Sequence, residues 1–243
     1  MKNLLTELII FALIVLLAYL IKLALKDKSD KAKNIPFIAI AVVLLVMEAV
    51  KQIQSLATGY NLYYLPFQIC SLFLLSYPMM ALAKGKVRDY FMCISLCLGC
   101  SASFGQVFLS QILTRDYIYK LFTPEATLFH YHTVFYHHIV ILHFMLMIFL
   151  KPYKPRKRDI LSTTAMYAVF MVIACIMANV LQTNFSGYIN YGAAAFDYFK
   201  KYGQFIFNIV GFCLNTLEYL LGVLVCFLAS AVAVYFSRST RKR

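Results

Sequence analysis

Apolar stretches close to twenty residues long recur along this chain of 243 residues, at about 4–25, 35–54, 64–83, 90–113, 127–150, 160–181 and 206–236. At a rise of about 1.5 Å per residue, a helix of roughly that length crosses a hydrocarbon core of about 30 Å. With 62% hydrophobic and only 14% charged residues, the chain lies well outside soluble composition and reads as an integral membrane protein. The stretches run continuously apolar instead of alternating, so they are expected as helices and not as strands of a barrel. The first is too long for a signal-peptide core and lacks a small-residue cleavage site before KDKSDKAK, so it is read as a retained helix.

The basic residues set the topology. Seventeen of the 23 Lys and Arg fall in Lys22–Lys33, Lys84–Arg88, Lys151–Arg158 and Arg238–Arg243, and the six others fall in the intervening loops and at the N-terminus. Cytoplasmic loops accumulate Lys and Arg. This unbroken alternation predicts an all-α membrane protein, a seven-transmembrane helix bundle with its N-terminus outside and its C-terminus cytoplasmic. Residues 1–243 form a single polytopic membrane domain. The net charge of +13 is then an orientation signal facing anionic headgroups, and no nucleic-acid partner is expected.

The seven cysteines, Cys70, Cys93, Cys97, Cys100, Cys175, Cys213 and Cys226, all lie within spans and form no disulfide framework. Cys93, Cys97 and Cys100 share one helical face and read as small residues for close helix packing. The longest loop, 182–205, reads as a re-entrant or interfacial segment from its aromatics and glycines.

Polar side chains inside spans are costly and mark candidate sites. All five histidines lie in LFHYHTVFYHHIVILHF, Leu128 to Phe144. Glu48, Gln52, Gln68, Cys70, Gln106, Ser110, Gln111, Asn179, Gln182, Asn184 and Asn208 fall toward the same outer half of the bilayer, so six helices are expected to line one cavity there. His130, His137 and His138 are candidates for that cavity, His132 for the interface, and His143 for packing. A metal site from His130, His137 and Glu48 lacks any signature such as HExxH, and no metal or cofactor is assigned. Cys70 is the cysteine at the depth of the histidines. A thiol beside an imidazole, with the amides of Gln68, Asn179 or Gln182 to donate to an oxyanion, has the parts for acyl transfer. A proton-linked carrier or solute-binding protein using the histidines and Glu48 is the alternative, and a non-catalytic membrane factor is a third.

Glu48, LPFQIC from Leu65 to Cys70, LFHYHTVFYHHIVIL, the basic turn KPYKP and NVLQTNF at the end of the sixth span together resemble the YwaF family of bacterial integral membrane proteins. That family is related to the transmembrane protein 164 acyltransferase family. The resemblance implies a seven-helix fold in the bacterial cytoplasmic membrane. It also implies transfer of fatty acyl chains between glycerophospholipids, with Cys70 as the acyl-accepting thiolate, His138 as the base and His130 as a second family histidine. Membrane phospholipids would be the partners, contacted by Glu48, Gln68, His137, Asn179 and Gln182. Where YwaF-type sequences often read LPLHLCD, this chain has LPFQICS, so Gln68 stands for a histidine and Ser71 for an acidic residue.

Overall fold

The computed structural model describes the backbone of residues 2–108, 115–151, 153, 156–190 and 198–240, and side chains within 5–103, 117–151, 153, 156–190 and 198–226. The described residues form helices and no strand. In chain order these are α1 (Lys2–Leu25), α2 (Asp30–Ala57), α3 (Leu72–Leu82), α4 (Gly85–Phe108), α5 (Arg115–Lys120), α6 (Leu128–Leu150), α7 (Lys157–Leu181) and α8 (Gln204–Thr240). Among the described residues, five segments are long and apolar enough to cross a membrane: Leu5–Leu25, Asp30–Ala57, Leu128–Leu150, Lys157–Leu181 and Gln204–Cys226.

The third apolar stretch differs from a full span. Its helix covers only Leu72–Leu82, about 16 Å long, and is preceded by two 3-10 turns, Leu62–Tyr64 and Ile69–Ser71. Pro66 is the cause. A residue before proline is driven out of the helical region, and Leu65 is extended at φ −58° and ψ 146°. Irregular backbone at such a position survives only when protein satisfies it. Here the Tyr64 carbonyl accepts from Gln52 Nε2 at 2.7 Å and the Phe67 carbonyl from the Ser186 hydroxyl at 3.0 Å, while Gln68 holds the facing turn, donating Nε2–H to the Asn184 carbonyl at 3.1 Å and accepting from the Ser186 N–H at 2.9 Å.

Local chemistry fixes the other boundaries. Ser29 caps α2 by accepting from the Ala32 N–H at 3.3 Å, and α2 stops where Gly59 takes a φ of +87°. At the end of α7 the left-handed residue is Gln182, at φ 50°.

α6 is central and α1 peripheral: half of the apolar window of α6 is buried, against 6% of that of α1. Two close approaches tighten the middle of the bundle. Gly99 of α4 lies against Phe144, and Gly222 of α8 lies against Ser101 and the Cys97 carbonyl. The face bearing Cys93, Cys97 and Cys100 is buried, with Cys93 Sγ 3.8 Å from Thr163 Oγ1, which also accepts from the Tyr219 hydroxyl at 2.9 Å. His143 is fully buried, stacked on Tyr77 with ring centroids 3.4 Å apart and edge-on to Phe37 at 5.2 Å.

The two ends of the bundle differ in chemistry. One gathers the end of α2, the start of α3 and of α6, and the 182–190 turn, and carries His130, His132, His137 and His138. The other gathers basic residues around Asn34 of α2, which donates Nδ2–H to the Ala81 carbonyl at 2.7 Å and accepts from Arg88 Nη2 at 3.1 Å and from Lys151 Nζ. Burial, and then the facing Arg88 guanidinium, pull Lys151 down to about 8, with Asp30 opposing. Between about pH 8 and the ordinary lysine range the unfolded chain therefore binds more protons than the native one, and the stability contributed by this group rises with pH across that window. Lys151→Met is expected to remove this rise, leaving a flatter pH dependence of the thermal midpoint than the parent's when the two are compared in one detergent.

Candidate functional site

Glu48 organises the histidine-bearing end. It lies on the last turns of α2, where its carboxylate meets Lys51 Nζ at 2.7 Å, accepts from Gln52 Nε2 at 2.7 Å and faces His132 Nε2 of α6 at 3.5 Å. Gln52 extends the set, donating also to the Tyr64 carbonyl at 2.7 Å and accepting from the Tyr60 hydroxyl at 2.7 Å. The carboxylate is thus held by groups one helical turn away on its own helix, while the imidazole comes from across the bundle.

Tyr136, one turn beyond His132 on α6, links this cluster to the broken third stretch. Its ring stacks on His132 with centroids 5.3 Å apart and planes at 23°, and its hydroxyl donates to the Cys70 carbonyl at 2.8 Å. His132 and Cys70 therefore flank one buried tyrosine. Cys70 lies in the 3-10 turn that leads directly into α3, half-buried, where the Ser71 N–H donates to the Gln68 carbonyl at 2.9 Å.

An apolar groove of about 420 Å³ runs between α2 and α6, walled by Val43, Met47, Val50, Phe135 and Ile139, and His132 is the imidazole that lines it. The groove and the polar cluster share that one side chain. Its volume falls within the usual range of small-ligand pockets.

The remaining histidines are placed separately. His137 and His138 donate from Nδ1 to the carbonyls of Thr133 and Val134, each at 2.7 Å. A carbonyl only accepts, so Nδ1 carries the proton and Nε2 is the free ring nitrogen of the neutral form. His138 Nε2 lies 3.7 Å from the buried Glu7 carboxylate of α1. His130 caps the start of α6, where its Nδ1 accepts from the Thr127 N–H at 3.0 Å.

The structure brings Glu48, His132 and the Cys70 turn together through Tyr136, with His137 edge-on to the same ring at 5.7 Å. The sequence-predicted amides sit elsewhere in the hydrogen-bond network. Asn179 Nδ2 donates to Cys175 O at 2.8 Å within α7, Gln182 Nε2 donates to Asn179 O at 2.6 Å, and Gln68 holds the 184–186 turn. Gln106, Ser110 and Gln111 lie outside the residues whose side chains are described. Glu7 escaped the sequence reading although a carboxylate in an apolar span is a signal in itself. The sequence points His132 to the interface because its neighbour on α2 cannot be read from α6 alone. Among the described residues, no group of three or more His, Cys, Asp and Glu side chains is placed to hold a metal ion.

Replacing Gln68 by alanine would strand the Ser186 N–H and the Asn184 carbonyl. A loss of about 1–3 kcal/mol is expected, read as a lower thermal midpoint together with faster proteolysis between residues 182 and 190.

Fold and site together define an all-helical, multi-pass membrane protein with a histidine–carboxylate cluster beside a cysteine turn at one end of its bundle. The chain belongs to the TMEM164 family, whose model matches residues 2–229, nearly its whole length. No curated protein and no solved structure matches it.

Proposed function

We propose that this protein transfers fatty acyl chains between membrane glycerophospholipids, with Cys70 as nucleophile and His132 as its base. The observation that carries this reading is that His132 stands at once in the apolar groove, against Glu48 and on the ring of the tyrosine that holds Cys70. An acyl chain laid along Val43, Met47 and Val50 would bring its ester toward His132, the one imidazole among the described residues that line the groove.

In the first half-reaction, His132 takes the thiol proton and the sulfur attacks the ester carbonyl. The ester C–O bond breaks, the departing lipid oxygen recovers the proton from the imidazolium, and a thioester remains on Cys70. In the second, a lysolipid hydroxyl gives its proton to His132 and attacks the thioester, restoring the thiol. Glu48 orients the imidazole and stabilises its charged form. Apo distances such as the 3.5 Å between His132 and Glu48 are expected to tighten when substrate is bound.

The proposal includes seven crossings of the bacterial cytoplasmic membrane, with the broken third stretch as one of them, the N-terminus outside and the site in the outer leaflet. The gathering of basic residues at the end opposite the site supports that orientation. Incubation of the purified protein with a phospholipid carrying a deuterated acyl chain tests the chemistry. Intact-mass measurement should find one acyl group that hydroxylamine releases, and a protein that never gains this mass during turnover would refute the thioester route.

A second reading rests on the Glu7–His138 pair, 3.7 Å apart. With His138 Nδ1 committed to a carbonyl, Nε2 is the ring nitrogen turned to the carboxylate, an arrangement that suits a proton-linked carrier. It predicts solute uptake that persists in Cys70→Ser and disappears in Glu7→Gln.

A further inference from the structure

The end of the bundle opposite Cys70 holds two cations on one uncharged oxygen. Asn34 spends its amide N–H on the Ala81 carbonyl at 2.7 Å, which turns Oδ1 toward Arg88 Nη2 of α4, at 3.1 Å, and toward Lys151 Nζ at the end of α6. Like charges brought this close repel unless an anion intervenes.

The nearby carboxylates leave both cations without an ion pair. Asp159 and Asp89 are engaged by Arg156 at 2.6 and 3.2 Å. Asp30, exposed at the start of α2, acts on Lys151 from beyond ion-pair distance. Among the described residues, neither Arg88 nor Lys151 pairs with an acid, and Arg88 Nε is buried without a hydrogen-bond partner. Donors are in surplus and acceptors are short. Beneath Lys151 lies the ring of Phe37, 4.8 Å from Nζ, so the cations stand at the border between the apolar core and the basic loops.

We propose that Asn34, Arg88 and Lys151 form a binding site for a phosphate group, supplied by the headgroup of an anionic phospholipid in the leaflet remote from Cys70. A phosphate offers several acceptor oxygens to a guanidinium fork and an ammonium at once. The site's depth, just above a buried aromatic ring, matches a headgroup phosphate, and basic pockets between helices on the cytoplasmic side are known to bind such headgroups.

The test uses the full chain in a neutral detergent and measures its thermal midpoint against added dioleoylphosphatidylglycerol, dioleoylglycerol and inorganic phosphate. The phospholipid should raise the midpoint saturably, whereas dioleoylglycerol, with the same chains and no phosphate, should not. Half-saturation should move up at least about tenfold in Lys151→Gln and in Arg88→Gln. Lys157→Gln, the same charge change at an exposed residue of the same end, should shift it by less than about twofold. Asn34→Asp places a carboxylate between the two cations; it should stabilise the lipid-free protein and abolish the response to phospholipid. Inorganic phosphate that saturates the response and competes with the lipid assigns the site to free phosphate as well, and its failure to compete assigns the site to the headgroup alone. Equal stabilisation by dioleoylglycerol, or equal weakening by all three glutamine variants, overturns the proposal.

Discussion

Cys70→Ser is expected to lower acyl transfer by at least about a thousandfold while leaving the thermal midpoint near that of the parent. Serine keeps the size of the side chain and the backbone contact to the Tyr136 hydroxyl, so the turn before α3 has no reason to rearrange. What it removes is the nucleophile, and activity that depends on a covalent intermediate then falls by several powers of ten. Two companion variants place the rest of the machinery. Glu48→Gln keeps the hydrogen-bonding shape but withdraws the charge that faces His132, and a loss of about 10²–10⁴-fold in kcat is expected with little change in KM. Phe135→Trp, which crowds the groove, is expected to raise KM for long acyl chains more than for short ones. Retention of transfer by Cys70→Ser would exclude the thiol mechanism outright. Retention by Glu48→Gln alone would instead move the base to another histidine, with His137 and His138 next in line.

The second large effect is structural and lies at the centre of the membrane-spanning core. A methyl group on Gly222 would stand 2.6 Å from the Cys97 carbonyl oxygen and closer still to Ser101 Oγ. The hydroxyl can swing away, but the carbonyl belongs to the α4 backbone, and room appears only if α4 and α8 separate. Gly222→Ala is therefore expected to cost about 3 kcal/mol, at the upper end of overpacking penalties, and Gly222→Val to prevent assembly of α8. Thermal unfolding in detergent reads the first, and the yield of monodisperse protein reads the second. Ser101→Gly should restore only part of the loss in Gly222→Ala, since it clears the side chain and leaves the carbonyl. Full rescue would show that the backbones are not in limiting contact.

These two cases also show what the sequence could and could not disclose. Helix existence followed from apolar length. The stretches at 127–150 and 160–181 correspond to α6 at Leu128–Leu150 and α7 at Lys157–Leu181, because an uninterrupted apolar run has one stable backbone form in lipid. The stretch at 64–83 reads as continuous because its hydropathy is continuous, whereas Pro66 acts on dihedral angles and is invisible to a hydropathy count. Side-chain partners were harder still. Periodicity says which residues of one helix share a face, but the rotation of α6 relative to α2 is set by packing. That rotation brings His132 to Glu48 and leaves His130 as a cap. Glu7 was legible as an anomaly and Gly222 was not, since a glycine's neighbour on another helix leaves no trace in its own segment.

The lone carboxylate of α1 has a consequence for biogenesis. Apart from Ala18, Glu7 is the described residue of that helix buried against the bundle, and it faces His138, about 130 residues later in the chain. At a synthesis rate of about 5–20 residues per second, α1 spends roughly 7–26 s without the imidazole it will face. A helix made well before α6 thus waits for its partner, and the ribosome's pace, as much as hydropathy, decides when the bundle closes around it.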